Sequence, residues 1–312
     1  MAQSLRTFFA ARVRSGEITN WRTRFAPAPT GYLHLGHVVN ALHVWGIARA
    51  YGGEVLLRLE DHDRTRCRAE YELALLNDLD WLGFIPDRAT TNEFRAGASP
   101  LRQSDNLTAY QAVLDSLAAR GALYACQCSR RDIASLAPIE TGAETRYPGT
   151  CAALSLNDAA PHAVRMRVTN DIEHFGDLRL GMQSQCPDVQ CGDFVLRDRN
   201  GNFTYQFAVT VDDWQQDIAV IIRGEDLLPS TGRQLQLARV IGRKLAPVFL
   251  HHQLILRDDG IKLSKSLGDT GVREMRAARL SSRDVLGRAA FASGLIAQEI
   301  PLAIDDLKYL FD

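Results

Sequence analysis

Residues 23–37 read TRFAPAPTGYLHLGH, which places His34, Gly36 and His37 at the end of a turn-rich loop, ahead of an apolar run. Two imidazoles three positions apart can face one ligand. Gly36 between them leaves room for a flat ring to approach the backbone. A helix opening near His37 offers free N–H groups and a positive dipole end, so an anion, and a phosphate in particular, is the ligand this loop suits. Two further stretches carry charge at loop positions. Glu60 and Asp61 follow the apolar run VLLRL, and Lys262 and Lys265 are interleaved with Ser264 and Ser266 in DDGIKLSKS. Each stretch alone has a plain reading, as a surface turn or a solvated loop.

The elements needed to position them are legible. Val38, Ala41, Leu42, Trp45 and Ala48 recur at helical spacing and stop at Gly52-Gly53. EVLLRLED reads as a strand and AEYELALLNDLDWLGF as a second helix, so residues 23–84 run strand, helix, strand, helix. That order implies a parallel sheet with right-handed crossovers. GDFVLRDRNGNFTYQFAVTVDD, from 192, reads as a hairpin turned at Asn200-Gly201. DIAVIIRGED is a buried strand, TGRQLQLARVIGRKL a helix, HHQLILR the last strand, and the tail from 270 is helical and charged. The fold class expected is α/β: a Rossmann-type parallel-sheet catalytic domain, an inserted subdomain and a short helical C-terminal region. The divisions are a loose extension at 1–22, the first half at 23–120, the insertion at 121–192, the second half at 193–268 and the tail at 269–312. Ligands of open α/β sheets sit at the carboxyl ends of the strands, where the His loop and Glu60 both fall.

A composition of 46% hydrophobic and 23% charged residues over 312 residues is that of an ordinary globular chain. No apolar run approaches the ~20 residues that span a bilayer, and no signal peptide is legible, so a cytoplasmic protein without a membrane partner is expected. Six cysteines in a chain of this length do not make a disulfide scaffold. With a net charge of -1, any nucleic-acid contact must come from a local basic patch. Residues 257–283 supply one candidate, with Arg257, Lys262, Lys265, Arg273, Arg276, Arg279 and Arg283; a solvated helix is the other reading.

His-x-Gly-His after the first strand and Lys-Leu-Ser-Lys-Ser after the last, in that order, resemble the signatures of class I aminoacyl-tRNA synthetases. RFAPAPTGYLHLGH, LRLEDHDRTR, VIIRGEDLLPSTGRQ and KLSKS are similar to the glutamyl branch of that class, over roughly residues 23–267. The resemblance implies ATP as substrate, with Mg²⁺, contacted by His34, Gly36, His37 and Lys265, and catalysis supported by His34, His37, Lys262 and Lys265. It implies L-glutamate held by Arg24, Phe25, Ala26, Pro27, Ala28, Glu60, Tyr205 and Arg223. Ala28 departs from the serine usual in the family, and a hydroxyl near the substrate is lost. The residue chemistry fits: guanidinium forks suit a γ-carboxylate, Tyr205 adds a hydroxyl, and Glu60 suits an α-ammonium.

Cys126 and Cys128 form a Cys-x-Cys pair, with Cys151 downstream. They read either as small core residues or as part of a four-coordinate Zn²⁺ site. The resemblance supplies Tyr147, four residues before Cys151, as the fourth ligand, with His162 as the alternative. Cys186 and Cys191 bracket a Pro-Asp turn, where a second cation site is the minor reading. Only 46 residues follow Ser266, fewer than an anticodon-reading domain needs. The chain therefore resembles the shortened glutamyl-Q tRNA(Asp) synthetases. For those, the resemblance implies transfer of glutamate to queuosine in the anticodon arm of tRNA(Asp), by a protein expected to be a monomer. Other readings are a compact or truncated glutamyl-tRNA synthetase, a small-molecule nucleotidyltransferase and a non-catalytic tRNA-binding paralogue.

Overall fold

The computed structural model describes residues 5–9, 11, 21–136, 144–154, 156, 161–255 and 271–312. In chain order the strands are β1 (Arg22–Phe25), β2 (Glu54–Leu57), β3 (Leu123–Cys126), β4 (Ala163–Met166), β5 (Glu173–Asp177), β6 (Gly181–Gln185), β7 (Val195–Arg197), β8 (Val220–Gly224) and β9 (Val248–His252). The helices used below are α1 (Leu35–Tyr51), α2 (Ala69–Leu82), α3 (Leu107–Ala119), α4 (Tyr205–Gln215), α5 (Thr231–Val240), α6 (Val272–Ala277) and α7 (Ser282–Ala292).

The expected strand–helix–strand–helix run is present. β1 and β2 pair in parallel, from Arg22 opposite Glu54 to Phe25 opposite Leu57. β8 and β9 also pair in parallel, and a parallel bridge from Arg22 to Ile218 sets β1 beside the β8 end. α1 is buried nearly all round, because it packs on these strands and is covered in turn by α7 and the 304–310 segment. It stops where Gly52 adopts φ 68°, a left-handed conformation that costs glycine little.

A second sheet runs β3-β4-β7, all antiparallel. β5 and β6, although they lie within 121–192, belong instead to the sheet of β8 and β9. The hairpin expected after Asn200-Gly201 does not form. The turn is followed by a single bridge, Arg197 with Phe203, and then by helix α4. Phe207, Ala208 and Val211 recur at helical spacing and bury against Tyr110, Leu114 and Leu117 of α3, which a strand could not do with all three on one face. The last strand also lies earlier than HHQLILR suggested: β9 ends at His252, and Gln253–Ile255 continues as irregular chain.

The ends of the chain are packed rather than loose where described. Leu5 and Phe9 are buried, and Phe9 stacks on Trp21 and Tyr51. The charged tail carries an apolar face into the core through Val285, Leu286, Leu307 and Phe311. Phe311 is fully buried, its ring 5.2 Å from that of His43, and its carbonyl accepts a 2.8 Å hydrogen bond from the Tyr51 hydroxyl. Phe311→Ala leaves a cavity against α1, and a loss of about 3–5 kcal/mol is expected from chemical denaturation. A loss under about 1 kcal/mol would mean that the tail does not close the core.

Candidate functional site

The carboxyl ends of β1 and β8 meet the N-terminus of α1 at a cavity of about 420 Å³. Arg24, Phe25, Ala26, Pro27, Ala28, His34, Gly36, His37, Glu60, Tyr205 and Arg223 all line it. Thus every site residue expected around glutamate, together with the His loop, borders one space. Lys262 and Lys265 lie outside the described residues, but the chain on either side of that stretch is fixed at this place. Leu254 and Ile255 line the cavity, while Gly271 bridges His34 and Val272 N–H donates to Leu33 O at 2.9 Å.

His34 is the N-cap of α1. Its Nδ1 accepts from the Gly36 N–H at 3.1 Å, and the His34 N–H donates to His37 Nδ1 at 3.2 Å. One amide expected to be open to a ligand is therefore occupied by the cap. The same bonds assign the neutral tautomer: with each Nδ1 accepting, each proton resides on Nε2, where it can be donated to an anion. The rings sit 4.0 Å apart. A Cβ on Gly36 would fall 2.9 Å from His34 Cε1, so the capped geometry requires glycine.

Beneath the cavity runs a buried charge network that sequence reading missed. Asp213 Oδ1 accepts from Arg24 Nε at 3.0 Å and from Arg58 at 2.8 Å, and Arg58 also donates to Glu60 at 3.0 Å. Burial alone would raise the Asp213 carboxyl, but the guanidinium of Arg24, and then that of Arg58, hold it at about 2. Asp212, next in chain, responds in the opposite sense. Burial pushes it up to about 6 despite Arg58, and it accepts from Tyr110 and Gln103.

Arg223 is different. It is 3% exposed, and its guanidinium donates to His251 Nε2 at 3.0 Å, Gln234 Oε1 at 2.7 Å and Thr231 Oγ1 at 2.9 Å. All three acceptors are neutral, and among the described residues no carboxylate forms an ion pair with it. Burial lowers its pKa. A buried cation without a counter-charge is costly, and an anionic ligand would complete it. Tyr205 stands in the same cavity, at the start of α4 rather than at a strand end as expected, with its phenol pushed up to about 12 by burial and then by Glu60.

The cysteines form a separate cluster beside β3. Cys126, Cys128 and Cys151 present sulfurs within 4.8 Å of one another. The Tyr147 hydroxyl lies 3.5 Å from Cys126 Sγ and 3.8 Å from Cys128 Sγ, and Cys128 Sγ lies 3.5 Å from Cys151 Sγ. A tetrahedral ion with Zn–S bonds of about 2.3 Å spaces its ligands about 3.8 Å apart, so three thiols and a phenol fit such an ion. The Cys151 N–H donates to the Tyr147 oxygen at 2.9 Å, and Arg165 lies 3.7 Å over the Tyr147 ring. His162 is outside this cluster, and Cys191 is buried elsewhere in the core.

A second cavity, of about 650 Å³, opens between the loop after Glu60 and the β3-β4-β7 sheet. Tyr205 lines both cavities, and Arg66, Arg130 and Arg199 are exposed around the second. Asn40, Asp226 and His252 also line the first cavity without having been expected there. Asn40, one helical step past His37 and Gly36, carried a signal in its spacing; His252, inside an apolar strand, carried none.

Residues 20–286 match the family described as tRNA synthetases class I (E and Q), catalytic domain. A glutamyl-Q tRNA(Asp) synthetase of Nitratidesulfovibrio vulgaris is 36% identical, over 91% of this chain and 90% of that protein. One of Cupriavidus metallidurans is 40% identical, over 91% and 87%. A glutamate–tRNA ligase 2 of Syntrophus aciditrophicus is 36% identical, over 90% of this chain but 59% of the ligase. Among solved structures, a glutamate tRNA ligase from Elizabethkingia meningosepticum, in complex with its amino acid, superposes with a TM-score of 0.77 at 26% identity, over 94% of this chain and 65% of that one. With the His34–His37 loop and the expected glutamate residues on one cavity, and these matches extending over about nine-tenths of its length, the chain belongs to the glutamyl-Q tRNA(Asp) synthetases, within the class I tRNA synthetases for glutamate and glutamine, and is a ligase.

Proposed function

We propose that the protein condenses L-glutamate with ATP to glutamyl-adenylate and passes the glutamyl group to the queuosine base of tRNA(Asp). The observation that carries the glutamate assignment is Arg223, a buried guanidinium whose hydrogen-bond partners among the described residues are all neutral, lining the same cavity as Tyr205. A γ-carboxylate supplies the missing charge, and Glu60, one of whose oxygens is taken by Arg58, receives the α-ammonium. Glutamine lacks that charge. Each lost hydrogen bond to a charged group costs about 1.5–3 kcal/mol, or roughly ten- to a hundredfold in discrimination.

The α-carboxylate is already ionised and attacks the α-phosphorus in line, so no general base is assigned to this step. Positioning and charge neutralisation carry it. His34 and His37 donate through Nε2 to phosphate oxygens at the helix N-terminus. Lys262 and Lys265 neutralise the departing pyrophosphate; of the described residues on either side of them, Ile255 lines the cavity and Gly271 bridges His34. Class I synthetases use Mg²⁺ with the nucleotide, which shields phosphate charge. Zn²⁺ held by Cys126, Cys128, Tyr147 and Cys151 has a structural role, pinning the 144–151 segment to β3. The acceptor assignment rests on the near end-to-end match to relatives of that name. The exposed Arg66, Arg130 and Arg199, with Arg273, Arg276, Arg279 and Arg283 of the tail, offer phosphate contacts.

Glutamate-dependent ATP–pyrophosphate exchange should proceed without tRNA. His37→Ala should slow it about 10²–10³-fold, as removal of one preorganised donor does. Arg223→Gln should raise the glutamate KM by ten- to a hundredfold and erase the preference over glutamine; equal exchange with glutamine in the parent protein would refute the glutamate assignment. Labelled glutamate should be recovered on an anticodon-loop fragment of queuosine-containing tRNA(Asp), and recovery at the 3′ end of tRNA(Glu) instead would make this a compact glutamyl-tRNA synthetase. Elemental analysis should find about one zinc per chain, lost with earlier melting in Cys126→Ser/Cys128→Ser. Zinc-free protein with unchanged melting in that variant would return the cysteines to the core.

A further inference from the structure

Past Glu60, the chain turns Asp61 into the interior, where its carboxylate accepts from the Ser104 N–H at 2.7 Å and from the Ser104 hydroxyl, and turns His62 to the second cavity. His62 is half-buried, and its ring centroid lies 6.3 Å from that of Tyr205, the residue common to both cavities. Its Nδ1 is 2.6 Å from Gln103 Oε1, and Gln103 Nε2 donates to Asp212 Oδ2 at 2.7 Å. Gln103 is fully buried and Asp212 nearly so. Because Asp212 needs a donor, the Gln103 amide must present its oxygen to His62, and Nδ1 must carry the proton there. In the neutral ring Nε2 is then a lone pair, and among the described residues no hydrogen bond engages it.

We propose that His62 is the general base of the transfer step, working from the second cavity as the acceptor hydroxyl enters; this rests on the activation and transfer reading above. The reacting carbonyl is one carbon away from the ammonium held by Glu60, two residues before His62. The hydroxyl oxygen bonds to the α-carbonyl carbon of glutamyl-adenylate, the bond from that carbon to the phosphate oxygen breaks, and AMP leaves with the electron pair. The hydroxyl proton passes to His62 Nε2. Gln103 and Asp212 are positioning residues: they fix the tautomer and orient a negative charge toward the imidazolium that forms, as base-orienting groups do elsewhere. The titratable and charged groups around the ring are Asp63 and Arg66 on its own loop, Tyr205, Asp212 behind Gln103, and Arg130, Arg165, Asp198 and Arg199 lining the same cavity.

The test is single-turnover transfer from preformed enzyme-bound glutamyl-adenylate to queuosine-containing tRNA(Asp), with glutamate-dependent exchange measured in parallel. His62→Ala should lower the ratio of transfer to exchange by about 10²-fold or more, and free imidazole should restore part of it. His62→Asn keeps a donor toward Gln103 but no base, and should lower the ratio equally. Transfer within threefold of the parent in His62→Asn, or a loss in His62→Ala that imidazole leaves unrestored, overturns the assignment while the activation reading stands. Parent protein that exchanges but transfers to neither this tRNA nor a tRNA 3′ end overturns both.

Discussion

The Asp213 carboxylate, shared between Arg24 and Arg58 in the interior, is the constraint on which the site depends. Arg24 comes from β1, Arg58 from just beyond β2 and Asp213 from α4, so one carboxylate fixes three elements at the edge where the cavity opens. Taking three charges out of water is expensive, and hydrophobic residues of the same volume would hold these elements together at least as well. The network therefore makes sense as alignment. Through Arg58 it sets Glu60, and it holds Arg24 at the cavity wall in one geometry.

With that frame fixed, the two cavities separate two kinds of chemistry. The first gathers fixed charges and Nε2 donors suited to phosphate and to an amino acid with a second carboxylate. The second is larger, has exposed arginines around it, and among the described residues shares only Tyr205 with the first. The 144–151 segment is packed onto the β3-β4-β7 sheet, which forms the far wall of that second cavity, through the Cys126, Cys128, Tyr147 and Cys151 cluster. A structural ion there would stiffen a wall facing a large polymeric ligand rather than take part in the reaction.

The loops were legible in combination rather than singly: a His-x-Gly-His turn after the first strand and a Lys-Leu-Ser-Lys-Ser stretch after the last, each with a plain reading alone, occur in the order that carries the resemblance. The nearly all-buried α1 was legible from its spacing. Arg58 was not, since a cation inside VLLRLED looks like the exposed face of an alternating strand until Asp213 is brought to it from 155 residues away. The α4 helix was misread because Asn200-Gly201 is a strong hairpin signal, and the competing signal, three apolar residues matching α3, is tertiary. Arg223 was found by type, but its neutral company of His251, Gln234 and Thr231 depended on the β8–β9 register and on α5.

The histidine pair at the start of α1 serves the helix with one nitrogen of each ring, and both rings border the cavity. Both side chains are thus held in single rotamers before any nucleotide arrives. Immobilising a side chain on binding costs about 0.5–1.5 kcal/mol, and here that entropy is already lost on folding. On the proposed reading, an arriving phosphate would meet donors that need not be ordered, so the rings' contact energy could go to the transition state instead of to their own arrest.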